Sequence, residues 1–103
     1  MIVIKNRKKD AITKNSVFVH RGYVLGNPFP CWPISTLSRD ECIEKYREWF
    51  YDKVKQYDTE VIKVLKEIRS KHLAGETVEL VCYCSPLKCH AEIIKEFVEN
   101  NEI

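Results

Sequence analysis

The segment VELVCYCSPLKCHAEIIKEF, residues 78–97, decides how this chain folds. Its first part, VELVCYC, alternates β-branched, apolar and polar residues, which predicts a strand from Val78 to Cys84. Ser85 and Pro86 then suit an N-cap and first helical position, because proline's fixed φ fits the first turn and its missing N–H has no partner there anyway. Ile93, Ile94, Phe97 and Val98 recur at helical spacing. Strand, tight loop and helix in succession form the half-unit of open α/β sheets. Such sheets bind ligands beyond the carboxyl ends of their strands.

Working outward, Ser38 and Glu41 make a capping box at the head of a helix. Along that helix Cys42, Ile43, Tyr46, Trp49, Phe50 and Val54 form an apolar stripe, with Tyr46, Trp49 and Phe50 expected in the core. A second helix starts near Asp58 or Thr59, carries Val61, Val64, Leu65 and Ile68, and ends at Gly75. Upstream, MIVI and SVFVH read as two short strands, and RGYVLGNPFPCWP as a glycine- and proline-rich loop. The expected fold is a small α/β open sheet, partly parallel, in the order β-β-α-α-β-α, with residues 1–103 as a single domain. The strand from Val78 should be interior, with Val17–His20 beside it.

Composition narrows the class. With 45% hydrophobic and 31% charged residues the chain suits a globular domain. It has no apolar run near the roughly 20 residues of a membrane-spanning helix. MIVIKNRKKDA does not resemble a signal peptide, so a cytoplasmic location is expected, with the five cysteines as thiols or ligands and no disulfide. The net charge of +2 is unevenly spread. Lys5, Arg7, Lys8, Lys9, Lys14 and Arg21 oppose only Asp10 within the first 21 residues, which suits either a phosphate-contacting loop or a solvated one.

The cysteine-histidine segment admits four readings. A zinc site could use Cys84, Cys89 and His90 with Cys31, Cys42 or His20, but C-x-C-x4-C-H is not a knuckle spacing, so no metal and no cofactor are expected. A reactive cysteine at a strand end before a helix resembles the loops of rhodanese-like and tyrosine-phosphatase-like proteins, with Lys88 as the loop's cation; those loops end in Arg where this chain has His90. The helix N-terminus could instead hold an anion without covalent chemistry, with His90 as acid-base or donor. Lastly, the cysteines could fill a tight strand-helix junction around a satisfied histidine.

Three ordered blocks, VHRGYVLGNPF, SRDECIEKYREWF and LVCYCSPLKCHAEII, resemble the signatures of a small family of bacteria and their phages known as domain of unknown function 4326. The resemblance runs from about Val17 to Phe97. It implies that Arg21, Gly26, Asn27, Ser38, Arg39 and the segment from Cys82 to His90 occur together, but it names no reaction. Arg21 and Arg39 suit planar anion contacts. Asn27 suits an amide or base edge, and Gly26 close backbone approach.

These readings combine into an expected anion-accepting pocket at the strand ends. Arg21, Gly26, Asn27, Ser38, Arg39 and Lys88 would bind a nucleotide or related phosphorylated molecule, and His90, Cys84 and Cys89 would do any chemistry. A hydrolase or transferase, a non-catalytic phage protein that sequesters nucleotides or binds nucleic acid, and a zinc-stabilised interaction domain all remain open. No membrane partner is expected.

Overall fold

The computed structural model describes residues 1–29, 36–83 and 89–102. Strands β1 (Ile2–Asn6) and β2 (Ser16–Phe18) precede helices α1 (Arg39–Lys55) and α2 (Thr59–Leu73), then strand β3 (Val78–Cys82) and helix α3 (Ala91–Asn100). The sheet order is β1-β3-β2, and both edge strands run parallel to β3. The β-β-α-α-β-α order and the central position of β3 beside β2 are as expected from the sequence, and every pairing is parallel.

Side chains alternate across a strand, so register sorts them onto two faces. Ile2, Val78, Leu80, Cys82 and Val19 join the core that α1, α2 and α3 cover with Tyr46, Phe50, Leu65, Ile68, Ile94 and Phe97. Val3, Lys5, Glu79, Val81, Ser16 and Phe18 lie on the opposite face by the same register. The connector from β1 to β2 crosses that face without a helix. Thr13 and Ser16 hydroxyls both donate to Glu79 Oε1 at 2.9 Å and hold it there.

The helix ends follow local chemistry. Ser38 Oγ accepts from Glu41 N–H and Glu41 Oε1 accepts from Ser38 N–H, each at 3.2 Å, completing the expected capping box. Asp58 caps α2 by accepting from Val61 N–H. Both helices end in paired Schellman bonds: Asp58 N–H to Lys53 O with Tyr57 N–H to Val54 O, and Glu76 N–H to Lys71 O with Gly75 N–H to His72 O. The left-handed position is Gly75 in one, but Tyr57 at φ 54° in the other. Arg69 Nη1 reaches across from α2 to the carbonyls of Val98 and Asn101 at the end of α3.

Three expectations change. Helix α3 begins at Ala91 with His90 at the N-cap and no side-chain cap bond, so Cys89 and His90 precede the helix and are not in its first turns; Ser85 and Pro86 lie outside the described residues. Tyr46 and Phe50 are fully buried, but Trp49 is only partly buried at the edge of the core. Finally, Cys42 is disulfide-bonded, where no disulfide was expected. The reason it is placed for bonding is geometric. Cys42 opens the buried stripe of α1 and points at the loop after β2, with its sulfur 3.4 Å from Asn27 Nδ2 and 3.5 Å from Phe29 O.

Candidate functional site at the carboxyl ends of the strands

Because all three strands are parallel, their carboxyl ends share one rim, and the segments after Asn6, Phe18 and Cys82 meet there. The loop after β2 is built inward from this rim. Arg21 donates through Nη1 to Asn27 O and through Nη2 to Phe29 O, so its guanidinium holds the loop closed. Asn27 is buried, accepts from Phe29 N–H at 2.9 Å, and faces Cys42. A Cβ on Gly26 would stand 2.4 Å from His20 O, so this glycine's close approach is to the protein's own backbone. Tyr46 O–H, from α1, donates to Leu25 O at 2.8 Å and fixes the middle of the loop.

His90 turns inward. Its Nε2 donates to Val19 O, which makes it the N–H nitrogen of the neutral ring, and the ring packs 4.8 Å from that of Tyr46. Burial lowers its pKa below the usual histidine value against the opposing pull of the Val19 carbonyl; the nearby Arg21 and His20 push the same way as burial. Before α3, Cys89 N–H donates to Glu92 Oε2 at 3.1 Å, and Cys89 Sγ accepts from Ala91 N–H at 3.3 Å. Glu92 and Ile93 N–H groups go to the carbonyls of Cys89 and His90. An internal carboxylate and a sulfur thus occupy positions an external anion would take. Cys82 and Cys89 are buried and not in disulfides, with their sulfurs 3.1 Å apart. Of the zinc ligands considered, Cys42 is in a disulfide and His90 Nε2 is held by a carbonyl.

Of the sequence-derived set, then, Arg21, Gly26, Asn27, Cys89 and His90 come together around the loop after β2 and the start of α3. Ser38 caps α1, with Arg39 exposed at its first position. Cys84 and Lys88 lie outside the described residues.

The outer side of the rim gathers Phe18, Tyr23 and Tyr83, which sequence reasoning passed over, around His20, which it weighed only as a zinc ligand. Phe18, His20, Tyr23 and Tyr83 form an aromatic cluster on the face away from the helices. His20 lies 4.8 Å from both Tyr23 and Tyr83, and Phe18 lies 5.3 Å from Tyr23. Arg7 stacks over Phe18 at 4.7 Å and Lys8 Nζ lies 5.8 Å from the Tyr83 ring centre. Buried Asn6 sets this geometry. Its Oδ1 accepts from Lys8 N–H and Lys9 N–H, its Nδ2 donates to Tyr83 O, and its own N–H donates to Asp10. Arg7 N–H adds a bond to Cys82 O. His20 Nδ1 faces Arg21 O at 3.0 Å, and its Nε2 is buried with no hydrogen-bond partner among the described residues. The signal for this cluster was period-two alternation: Phe18, His20 and Tyr83 fall on one face once β2 and β3 are paired.

A protein-family comparison spans residues 2–100, nearly the whole chain, with the description Domain of unknown function (DUF4326). The chain belongs to the DUF4326 family. No curated protein and no solved structure matches it significantly. The family description of this DUF4326 protein assigns no reaction. Among the described residues, no helix is long and apolar enough to cross a membrane.

Proposed function

We propose that this DUF4326 protein binds a nucleotide or related phosphorylated, base-bearing ligand at the carboxyl rim of its sheet. One observation carries the reading: Tyr23 and Tyr83, each 49% exposed, flank His20 where cations from the turn after β1 converge. Half-exposed rings offer a stacking face, and Arg7, Lys8 and Lys9 offer charge for phosphate, with Asp10 beside them and Glu79 farther along the same face, held by Thr13 and Ser16. Parallel sheets place ligands at such an edge. The sequence-derived loop residues then act from behind: Arg21, Asn27 and Gly26 hold the wall of the rim in shape.

Binding without turnover is favoured by the state of His90, whose Nε2 proton is committed to Val19 O. A protein that sequesters a nucleotide needs no general base. Such a ligand puts its work in the cytoplasm, or in the host's where a phage encodes it. Calorimetric titration with AMP and ATP tests the reading: saturable binding weakened by Lys8→Ala and Lys9→Ala supports it. Absence of binding by either nucleotide and by oligonucleotides defeats it.

A further inference from the structure

We infer that the ligand class is single-stranded nucleic acid, its bases stacking on Tyr83 and Tyr23 and its phosphates following the β1–β2 connector. The inference rests on the binding reading above and goes beyond it in the length of the ligand.

Two features of the rim favour a polymer over one nucleotide. First, there are two rings available for stacking. Tyr23 and Tyr83 each contact His20 at 4.8 Å and each is 49% exposed, so the rim offers one ring to each of two successive bases. Stacking of successive bases on separate aromatic side chains is the usual sequence-tolerant way of holding a single strand. Second, the cations are strung out. Arg7, Lys8 and Lys9 lie beside the carboxyl end of β3, whereas exposed Lys14 lies near its amino end, where neighbouring Thr13 reaches Glu79. From Glu79 to Tyr83 the strand advances on the order of 13 Å at ~3.3 Å per residue, more than a single phosphate can bridge. The connector carries no helix, so these side chains stand on an open face. Beside these, the buried His20 Nε2 has no hydrogen-bond partner among the described residues, which leaves an acceptor for a base N–H if either tyrosine turns to stack. The rim asks for backbone charge and ring faces, and makes no demand on sequence.

The probe is a fluorescein-labelled 12-nucleotide strand, dT12 or rU12, followed by anisotropy, with dTMP and a DNA duplex as competitors. The expected result is saturable binding of the single strands, with dTMP competing weakly. Neutralising three phosphates predicts an affinity loss of about 20-fold between ~50 and ~200 mM salt. Tyr83→Ala should weaken binding by about 5- to 150-fold, while Tyr83→Trp, which keeps a ring, should not. Lys8→Glu with Lys9→Glu should weaken binding and flatten the salt dependence, whereas Lys63→Glu on the exposed side of α2 should do neither. Equal affinity for both strands supports recognition through bases and phosphates, and preference for rU12 supports RNA as the source. If dTMP binds as well as the strands do, or the duplex outcompetes them, the polymer inference fails and nucleotide binding stands. If nothing binds, both fail.

Discussion

Removing one oxygen atom from the core tests how the loop after β2 is held. Tyr46→Phe keeps a ring that is fully buried and packed near Trp49, Phe50 and His90, and deletes only the hydroxyl that donates to Leu25 O at 2.8 Å. Leu25 is itself 1% exposed, so its carbonyl would be left in an apolar interior without that donor. The cost of such an orphan is about 1–3 kcal/mol. In urea, with m of ~1–3 kcal/mol/M, the midpoint should fall by on the order of 1 M. The pH dependence adds a second reading. Burial, with Cys89 adding to it, raises the Tyr46 pKa above its ordinary value near 10. A group whose folded pKa is raised contributes stability in full below its unfolded pKa and loses it as pH rises beyond. Wild type should therefore weaken above pH ~10 by up to ~1.4 kcal/mol per unit from this group, and the Tyr46→Phe variant should not. The gap between the two proteins, measured by urea unfolding at neutral pH and again above pH ~10, should be largest at neutral pH and narrow in alkali. A midpoint unchanged at neutral pH, or a gap that widens in alkali, would refute the reasoning.

His90 gives the opposite sign: its folded pKa is lowered, so its contribution is present above pH ~6.5 and drains away as acid protonates the ring, and urea midpoints between pH 7 and 5 should fall more steeply in wild type than in His90→Phe. Gly26→Ala drives a methyl into His20 O and should cost about 1–3 kcal/mol, visible as a lower Tm by calorimetry. Tyr57→Gly relieves the left-handed backbone between α1 and α2 and should raise stability by about 1 kcal/mol, less whatever the Lys66 contact to the Tyr57 hydroxyl contributes; a lower Tm would show that contact to matter more than the strain.

How much of this was legible depended on how local the determinant is. Ser38 and Glu41 lie within one turn, so the start of α1 was readable residue by residue, and the apolar run from Val78 could only be an interior strand. The start of α3 at Ala91 was not readable, because its local bonds run from Cys89 N–H to the Glu92 carboxylate and from Ala91 N–H to the Cys89 sulfur. The partner of His90 is a backbone carbonyl, which carries no side-chain signature. Arg21 and Asn27 looked like ligand residues because polar groups in a loop look the same whether they face a ligand or each other. Tyr23 and Tyr83 were invisible as a pair because only the parallel register of β2 and β3 brings them to one rim. Asn6 lacked a motif altogether, and its bonds to Lys8, Lys9, Asp10 and Tyr83 appear only once the turn at residues 7–10 is folded over β3.

The placement of β3 between two strands that precede it also orders events in time. Neither β1 nor β2 touches the other; each finds its partner only in residues 78–82, so Ile2 waits for Val78. At ~5–20 residues per second, a ribosome needs on the order of 3–12 s to pass from the end of β2 to the start of β3. During that interval two apolar strands and the amphipathic α1–α2 pair exist without the sheet that will cover them. Pairings so distant in sequence also make for slow closure. The nascent chain is thus most exposed to wrong partners just before its central strand emerges, and a chaperone that acts on it would have to hold Ile2–Asn6 and Ser16–Phe18 apart from other chains until then.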